Sequence, residues 1–152
     1  MWVAGGLDND DNTLSSVEVY NVVSKKWEVV QSMTKGRSDF NLLVVRGELF
    51  AVGDDGYGSN ITSIEKLDKV SGEWRVVTEL GENRHGCGAA CMGSKIYVFG
   101  GYGSNHTSTW NFFDVETEEW ASASTSIEHR KLPRGFYAGS AVVVPSSNFT
   151  YT

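Results

Sequence analysis

No stretch of this 152-residue chain approaches the roughly 20 consecutive apolar residues that a membrane-spanning helix requires. The opening Met1-Trp2-Val3-Ala4-Gly5-Gly6 has neither the basic start nor the apolar core of a secretory leader. Basic residues are outnumbered, 13 Lys and Arg against 19 Asp and Glu, and the net charge of −6 excludes nucleic acid as the expected partner. Proline occurs twice, whereas glycine occurs 17 times, a balance that suits many strands joined by tight turns. Cysteine is as scarce. Cys87 and Cys91 lie four apart in a segment that reads as extended, which places them about 13 Å apart. That is too far for a disulfide, so the expected setting is reducing and cytoplasmic. Three Asn-x-Thr sequons, at Asn60, Asn105 and Asn148, would point instead to the secretory route.

Catalytic signatures are missing as well. There is no Gly-x-Ser-x-Gly, no His-Glu-x-x-His and no phosphate-binding glycine loop. His85, His106 and His129 stand 21 and 23 residues apart in separate loop or strand-start positions, which reads as surface histidine rather than a metal site. The run Asp8-Asn9-Asp10-Asp11-Asn12 lacks the sixth-position glycine and distal glutamate of an EF-hand loop and reads as a solvated loop. Neither catalytic residues, metal nor cofactor are expected.

What the chain does contain is a period. Trp27, Trp74 and Trp120 recur at intervals of 47 and 46, and Gly5-Gly6, Gly53-Asp54 and Gly100-Gly101 at 48 and 47. Such a period marks an array of one supersecondary unit. Ahead of the glycines, Glu48 to Val52 and Lys95 to Phe99 are almost wholly apolar, the pattern of a strand buried on both faces. A second strand follows in each copy, at 16–21, 63–68 and 109–114. Tyr20, Leu67 and Phe113 stand seven before the tryptophan, and Ser24, Ser71 and Thr117 three before it, where a hydroxyl suits a hairpin turn. The tryptophan opens a third strand. A fourth begins after an arginine: Arg37 and Arg84 each lie 16 before the next glycine, and Arg134 leads an equivalent run to Val144. Four strands per period, with no helical periodicity, describe a propeller blade.

These residues resemble the Kelch repeat, and in particular the Kelch domain of BTB–Kelch-type adaptor proteins. The Gly-Gly pair, the Tyr-Asn or Phe-Asp after the second strand, and the tryptophan about 20 after the glycines carry the resemblance over nearly the whole chain. It implies an all-β fold, a β-propeller of four-stranded antiparallel blades, with about three blades present. Residues 1–152 form one region of units 1–36 (strands b-c-d), 37–83, 84–133 and 134–152 (strand a and the start of b). The middle copy departs at Gly53-Asp54 and Leu67, which predicts an irregular blade there. Since propellers have four to eight blades, the strand count predicts either part of a larger propeller or self-association of two copies into a six-bladed ring.

In the family's substrate adaptors, partners bind the face formed by the b–c and d–a loops, through arginines at the start of strand a and tyrosines after the diglycine. By that resemblance the partner-binding set here is Arg37, Arg84, Arg134, Tyr102, Tyr57, Asp55, His85 and Asn105. An arginine at this repeat position can equally hold adjacent blades together by bonding loop carbonyls. Asp8, Asp10, Asp11, Asp54 and Asp55 add acid to the same face, while Trp2, Trp27, Trp74, Trp110 and Trp120 read as core. The expected function is non-catalytic recognition of a protein or peptide, as the substrate-recruiting part of a ubiquitin ligase adaptor or as an actin-binding cytoskeletal protein. Two other classes stand beside it: a galactose-oxidase-like or sugar-processing propeller enzyme, and a purely structural array.

Overall fold

A computed structural model describes residues 1–54, 62–80, 84–103 and 108–120. In chain order the strands are β1 Trp2–Ala4, β2 Val17–Asn21, β3 Lys26–Val30, β4 Phe40–Val45, β5 Glu48–Asp54, β6 Thr62–Leu67, β7 Trp74–Glu79, β8 Gly88–Met92, β9 Lys95–Phe99, β10 Trp110–Asp114 and β11 Glu119–Trp120. They form three antiparallel sheets, ordered β1-β2-β3, β4-β5-β6-β7 and β8-β9-β10-β11. The sheets face one another as blades, and the first strands of the second and third, β4 and β8, come together at the inner edge. The fold is a partial β-propeller.

The apolar run in β5 follows from this stacking. Successive strand residues point to opposite faces, and β5 has a sheet on either side. Leu49 and Ala51 pack with Val17 and Met33 toward the first sheet, while Phe50 and Val52 pack with Ile96 and Val98 toward the third. Full burial of a side chain such as Phe50 or Ile64 contributes roughly 1.5–3 kcal/mol. The middle sheet is thus the best covered of the three, despite its broken diglycine. Among the described residues its irregularity is a register shift between Ile64 and Glu65.

The tryptophan spacing is a register. Tyr20 faces Trp27, Leu67 faces Trp74 and Phe113 faces Trp120 across the c–d hairpin. Each later indole also reaches back one blade. Trp74 Nε1 donates to Gln31 O at 3.1 Å, and Trp120 Nε1 to Thr78 Oγ1 at 2.9 Å. Trp27 is 46% exposed against 6% for Trp74, and Trp2 is exposed too, so neither is core as the sequence suggested. For Trp27 the reason is that β1-β2-β3 has a neighbour on one face only among the described residues, whereas Trp2 lies on the covered face and lines an open cleft with Val30 and Leu67.

The turns depart from expectation as well. The hairpins are held chiefly by the residue that ends the second strand rather than by Ser24, Ser71 or Thr117. Asn21 Oδ1 accepts from the Val23 and Ser24 amides at 2.9 and 3.1 Å, and Asp68 Oδ1 from Val70 and Ser71 at 2.7 and 2.9 Å. Asp114 Oδ1 accepts from Glu116 at 3.1 Å. These are Asx-turns. Ser71 Oγ adds one bond, from the Glu73 amide at 3.2 Å.

Glycine is required where blades touch. A Cβ on Gly5, at φ +62°, would meet Arg37 O at 2.4 Å and the Phe40 ring at 2.7 Å. Between β4 and β8 a side chain replaces a backbone ladder. Asn41 Nδ2 donates to Cys87 O at 2.8 Å, and its Oδ1 accepts from the Ala89 amide at 3.2 Å. Both cysteines are free thiols.

Candidate functional site: the loop face

Strands b and c are joined, and strand d of one blade is linked to strand a of the next, at one end of the stack. Arg37 and Arg84 stand at that end, ahead of the inner strands, and both are buried in the framework, the second of the two roles left open for them. Arg37 is 0% exposed and Arg84 1%. The Arg37 guanidinium donates to Gly53 O at 2.6 Å, Ser63 O at 3.1 Å and Ser63 Oγ at 2.7 Å, and pairs with Glu65 Oε1 at 2.6 Å. Arg84 donates to Gly100 O and Thr109 O, each at 3.0 Å, and to Thr109 Oγ1 at 2.6 Å. The spacing of 16 from arginine to glycine is therefore a hydrogen bond across the a–b pair. The forked guanidinium reaches carbonyls of strands b and c at once, and Thr109 O accepts from the Gly100 amide as well.

Arg37 and its partner Glu65 also tie the first two blades together. The Gly6 amide donates to Arg37 O at 2.8 Å, and Glu65 Oε2 accepts from the Thr34 amide at 2.8 Å. Glu65, fully buried, escaped the sequence reading. Its signal was a glutamate at matching repeat positions, Glu18 and Glu65, each directly after an apolar residue of the second strand. A carboxylate kept in such a place needs a cation nearby. At this position the third sheet has Asn111.

His85 and Tyr102 are brought together. Their backbones form an antiparallel bridge with N–H···O distances of 2.9 Å in both directions, joining the entry to β8 with the loop after β9. His85 is half-buried, and Tyr102 is 43% exposed. Gly101 sits beneath, so close to the Arg84 backbone that a Cβ would approach it to 2.9 Å. The tyrosine thus leaves a stiff platform. The other candidates, Arg134, Tyr57, Asp55 and Asn105, lie outside the described residues, as do His106 and His129.

The aspartate-rich loop is internally organised. Asp8 Oδ1 accepts from the Asp10 and Asn12 amides at 2.9 and 2.8 Å, and Asn12 Nδ2 donates to Asp8 Oδ2 at 3.0 Å. The Asn12 side-chain amide, then its backbone amide, hold the Asp8 carboxyl below the usual range. Asp8 is thereby committed to its own loop, while Asp10 and Asp11 remain exposed. Asp39, exposed and at φ +50°, joins them from the d–a loop, a residue the sequence did not single out. Among the described residues no three His, Cys, Asp or Glu side chains converge as metal ligands would.

Comparison with known proteins agrees with this architecture. Models of the Kelch motif match residues 1–34 and residues 83–125. Kelch-like protein 41a of Danio rerio is 30% identical over 103 residues, covering 63% of this chain and 17% of that protein. An F-box/kelch-repeat protein of Arabidopsis thaliana is 34% identical over 58 residues, covering 38% of this chain and 13% of that one. The chain thus spans less than a fifth of the length of either relative. Among solved structures, YjhT superposes with a TM-score of 0.67 at 16% identity, covering 93% of this chain and 52% of the other. That likeness concerns the fold.

Proposed function

We propose that this chain, which belongs to the Kelch-repeat family, is a non-catalytic recognition module that holds a protein or peptide on its b–c and d–a loop face. The observation that carries this reading is the contrast on that face between buried and presented groups. Arg37 and Arg84 are spent on the framework, whereas Tyr102 projects from a bridged, stiff anchor, with Asp10, Asp11 and Asp39 exposed on the same end. Tyrosine offers large contact area at little entropic cost, and such residues dominate binding energies. With the arginines withdrawn, the exposed charge is acidic, so the partner segment carries basic side chains and associates faster at low salt.

Both relatives are longer than this chain, which favours reading it as one part of a larger adaptor. A substrate-recruiting role in a ubiquitin ligase and an actin-binding role are two forms of that reading. Retention of ligase subunits by the full-length protein favours the first, and co-sedimentation with filaments the second. The test of recognition itself is a peptide-display selection on this chain, followed by Tyr102→Ala. The expected outcome is a loss of affinity of about tenfold or more with an unchanged unfolding midpoint. Selected peptides that bind equally well to Tyr102→Ala and to Asp10→Asn/Asp11→Asn would refute the assignment of this face. Copper-dependent oxidation or sugar turnover by the purified chain would overturn its non-catalytic character.

A further inference from the structure

The two contacts between neighbouring sheets repeat one another residue by residue, but they do not close equally. Between the second and third sheets Phe50 and Phe113 are buried, and Val77 and Val115 pack against the same cluster. The repeat puts Trp2, Leu67, Val30 and Lys69, in that order, at these places between the first and second sheets. Trp2 is 39% exposed against 1% for Phe50. Here the contact leaves an open cleft of about 530 Å³ with Trp2, Val30 and Leu67 among its walls. That volume falls within the roughly 300–1,000 Å³ of ligand sites. Tyr102, Asp10, Asp11 and Asp39 of the loop face take no part in its lining.

The difference lies in the hairpins that cross from one sheet to the other. In the hairpin between β10 and β11, Val115 fills the contact, Glu118 Oε1 pairs with Arg75 of the second sheet at 2.7 Å, and Glu116 accepts from Arg46 Nε at 2.9 Å. In the hairpin between β6 and β7 those three places are held by Lys69, Gly72 and Val70, and Glu28 stands in the first sheet where Arg75 stands in the second. Neither clamp can form. Lys69 and Val70 are exposed, and a Cβ on Gly72, at φ +75°, would have nothing within 4 Å. The cleft is therefore a consequence of the residues in this hairpin.

We propose that this cleft is a second recognition site, which takes an extended peptide segment carrying a large apolar side chain beside a carboxylate side chain. The apolar side chain packs against Trp2, Val30 and Leu67, where an exposed indole supplies a broad rigid contact. Charge selects its neighbour. Of the two charged residues that line the cleft, Asp68 turns its carboxylate into the hairpin, where Oδ1 accepts from the Val70 and Ser71 amides. Lys69 is exposed and has no ion pair among the described residues, and its flexible stem lets the ammonium meet an incoming carboxylate. The peptide backbone passes over Gly72, where the missing side chain leaves room. The loop face, with its acidic groups, favours basic segments, so ligand charge separates the two sites.

The test is a titration of the whole chain with the capped peptide acetyl-Gly-Phe-Glu-Gly-amide and with its Lys-for-Glu and Ala-for-Phe forms. The NMR resonances of the Trp2 indole N–H and the Gly72 amide report binding, and the first peptide should move both. The lysine form should bind about threefold or more weakly, and the alanine form about tenfold or more weakly. Lys69→Glu should reverse the preference between the glutamate and lysine forms. Lys69→Val, which gives this hairpin the residue of the next, should fill the cleft and weaken the first peptide about tenfold or more without lowering the unfolding midpoint. Because Lys69 is exposed, both variants should fold, so they carry the test even where Trp2→Ala does not. Tyr102→Ala should bind the first peptide as the parent does, which keeps this site distinct from the loop face. A Trp2 resonance unmoved at millimolar peptide overturns the proposal. So does equal binding of the glutamate and lysine forms, and so does binding that survives Lys69→Val.

Discussion

Replacing Arg37 with alanine removes several interactions that nothing nearby can replace. The guanidinium Nε and Nη2 reach Glu65 Oε1 at 3.1 and 2.6 Å, Nη1 reaches Gly53 O and Ser63 O at 2.6 and 3.1 Å, and Nη2 reaches Ser63 Oγ at 2.7 Å. The substitution leaves the Glu65 carboxylate fully buried with the Thr34 amide as its donor. Breaking a buried ion pair from one side costs about 3–5 kcal/mol, because an uncompensated charge stays in a medium that solvates it poorly. Against a total stability of about 5–15 kcal/mol, that is enough to unfold a marginal chain. Arg37→Lys keeps the charge but not the planar fork, and should cost less, about 1–3 kcal/mol. Arg37→Leu combined with Glu65→Leu removes both charges and should recover much of the loss. Urea unfolding followed by tryptophan fluorescence, with the midpoint and slope both recorded, measures all three. An Arg37→Ala chain that loses less than about 1 kcal/mol while losing its partner would refute the framework role and return this arginine to the binding face.

The indole bonds between blades predict an asymmetry among the tryptophans. Trp74→Phe strands Gln31 O and should cost about 1–2 kcal/mol, whereas Trp27→Phe, at an exposed ring, should cost about 0.5 kcal/mol or less; equal losses in thermal unfolding would contradict this. The Asx-turns predict a pH effect. The Ser71 and then the Val70 amide lower the pKa of Asp68, so its folded value lies below its unfolded value. Its stabilisation is complete above the unfolded value of about 3.9 and is lost as pH falls through the folded one. Asp68→Asn, the residue type the first sheet already uses at Asn21, should keep the turn and flatten this part of the acid limb. An ordinary carboxyl midpoint for Asp68 by NMR would count against it.

Much of this architecture was written in intervals. The seven residues from Tyr20, Leu67 or Phe113 to the tryptophan are a cross-strand register, and the sixteen from arginine to glycine are a hydrogen bond. The apolar run of β5 announced a strand covered on both faces. What intervals do not convey is depth. An arginine beside a loop reads as solvent-facing until its acceptors are known, and those of Arg37 come from 16 to 28 residues further along. Likewise Trp27 shares the motif of the buried Trp74, but exposure depends on which sheet neighbours it, which is a property of the stack and not of the repeat. The turn chemistry was misassigned for a local reason. A hydroxyl and a carboxylate both suit these hairpins, and the carboxylate or amide at the strand's end reaches two amides at once.

The backward reach of Trp74 and Trp120 gives the stack a direction. The second and third sheets lodge their indole N–H against or just past the outer strand of the sheet before, so during synthesis from the N-terminus each of these two hairpins emerges after the strand that accepts it. Growth is templated one way, and a stalled or truncated chain exposes the acceptor side of its last blade rather than an unpaired indole. Such an array lengthens by duplication without redesign, because each added unit brings the donor that its predecessor awaits.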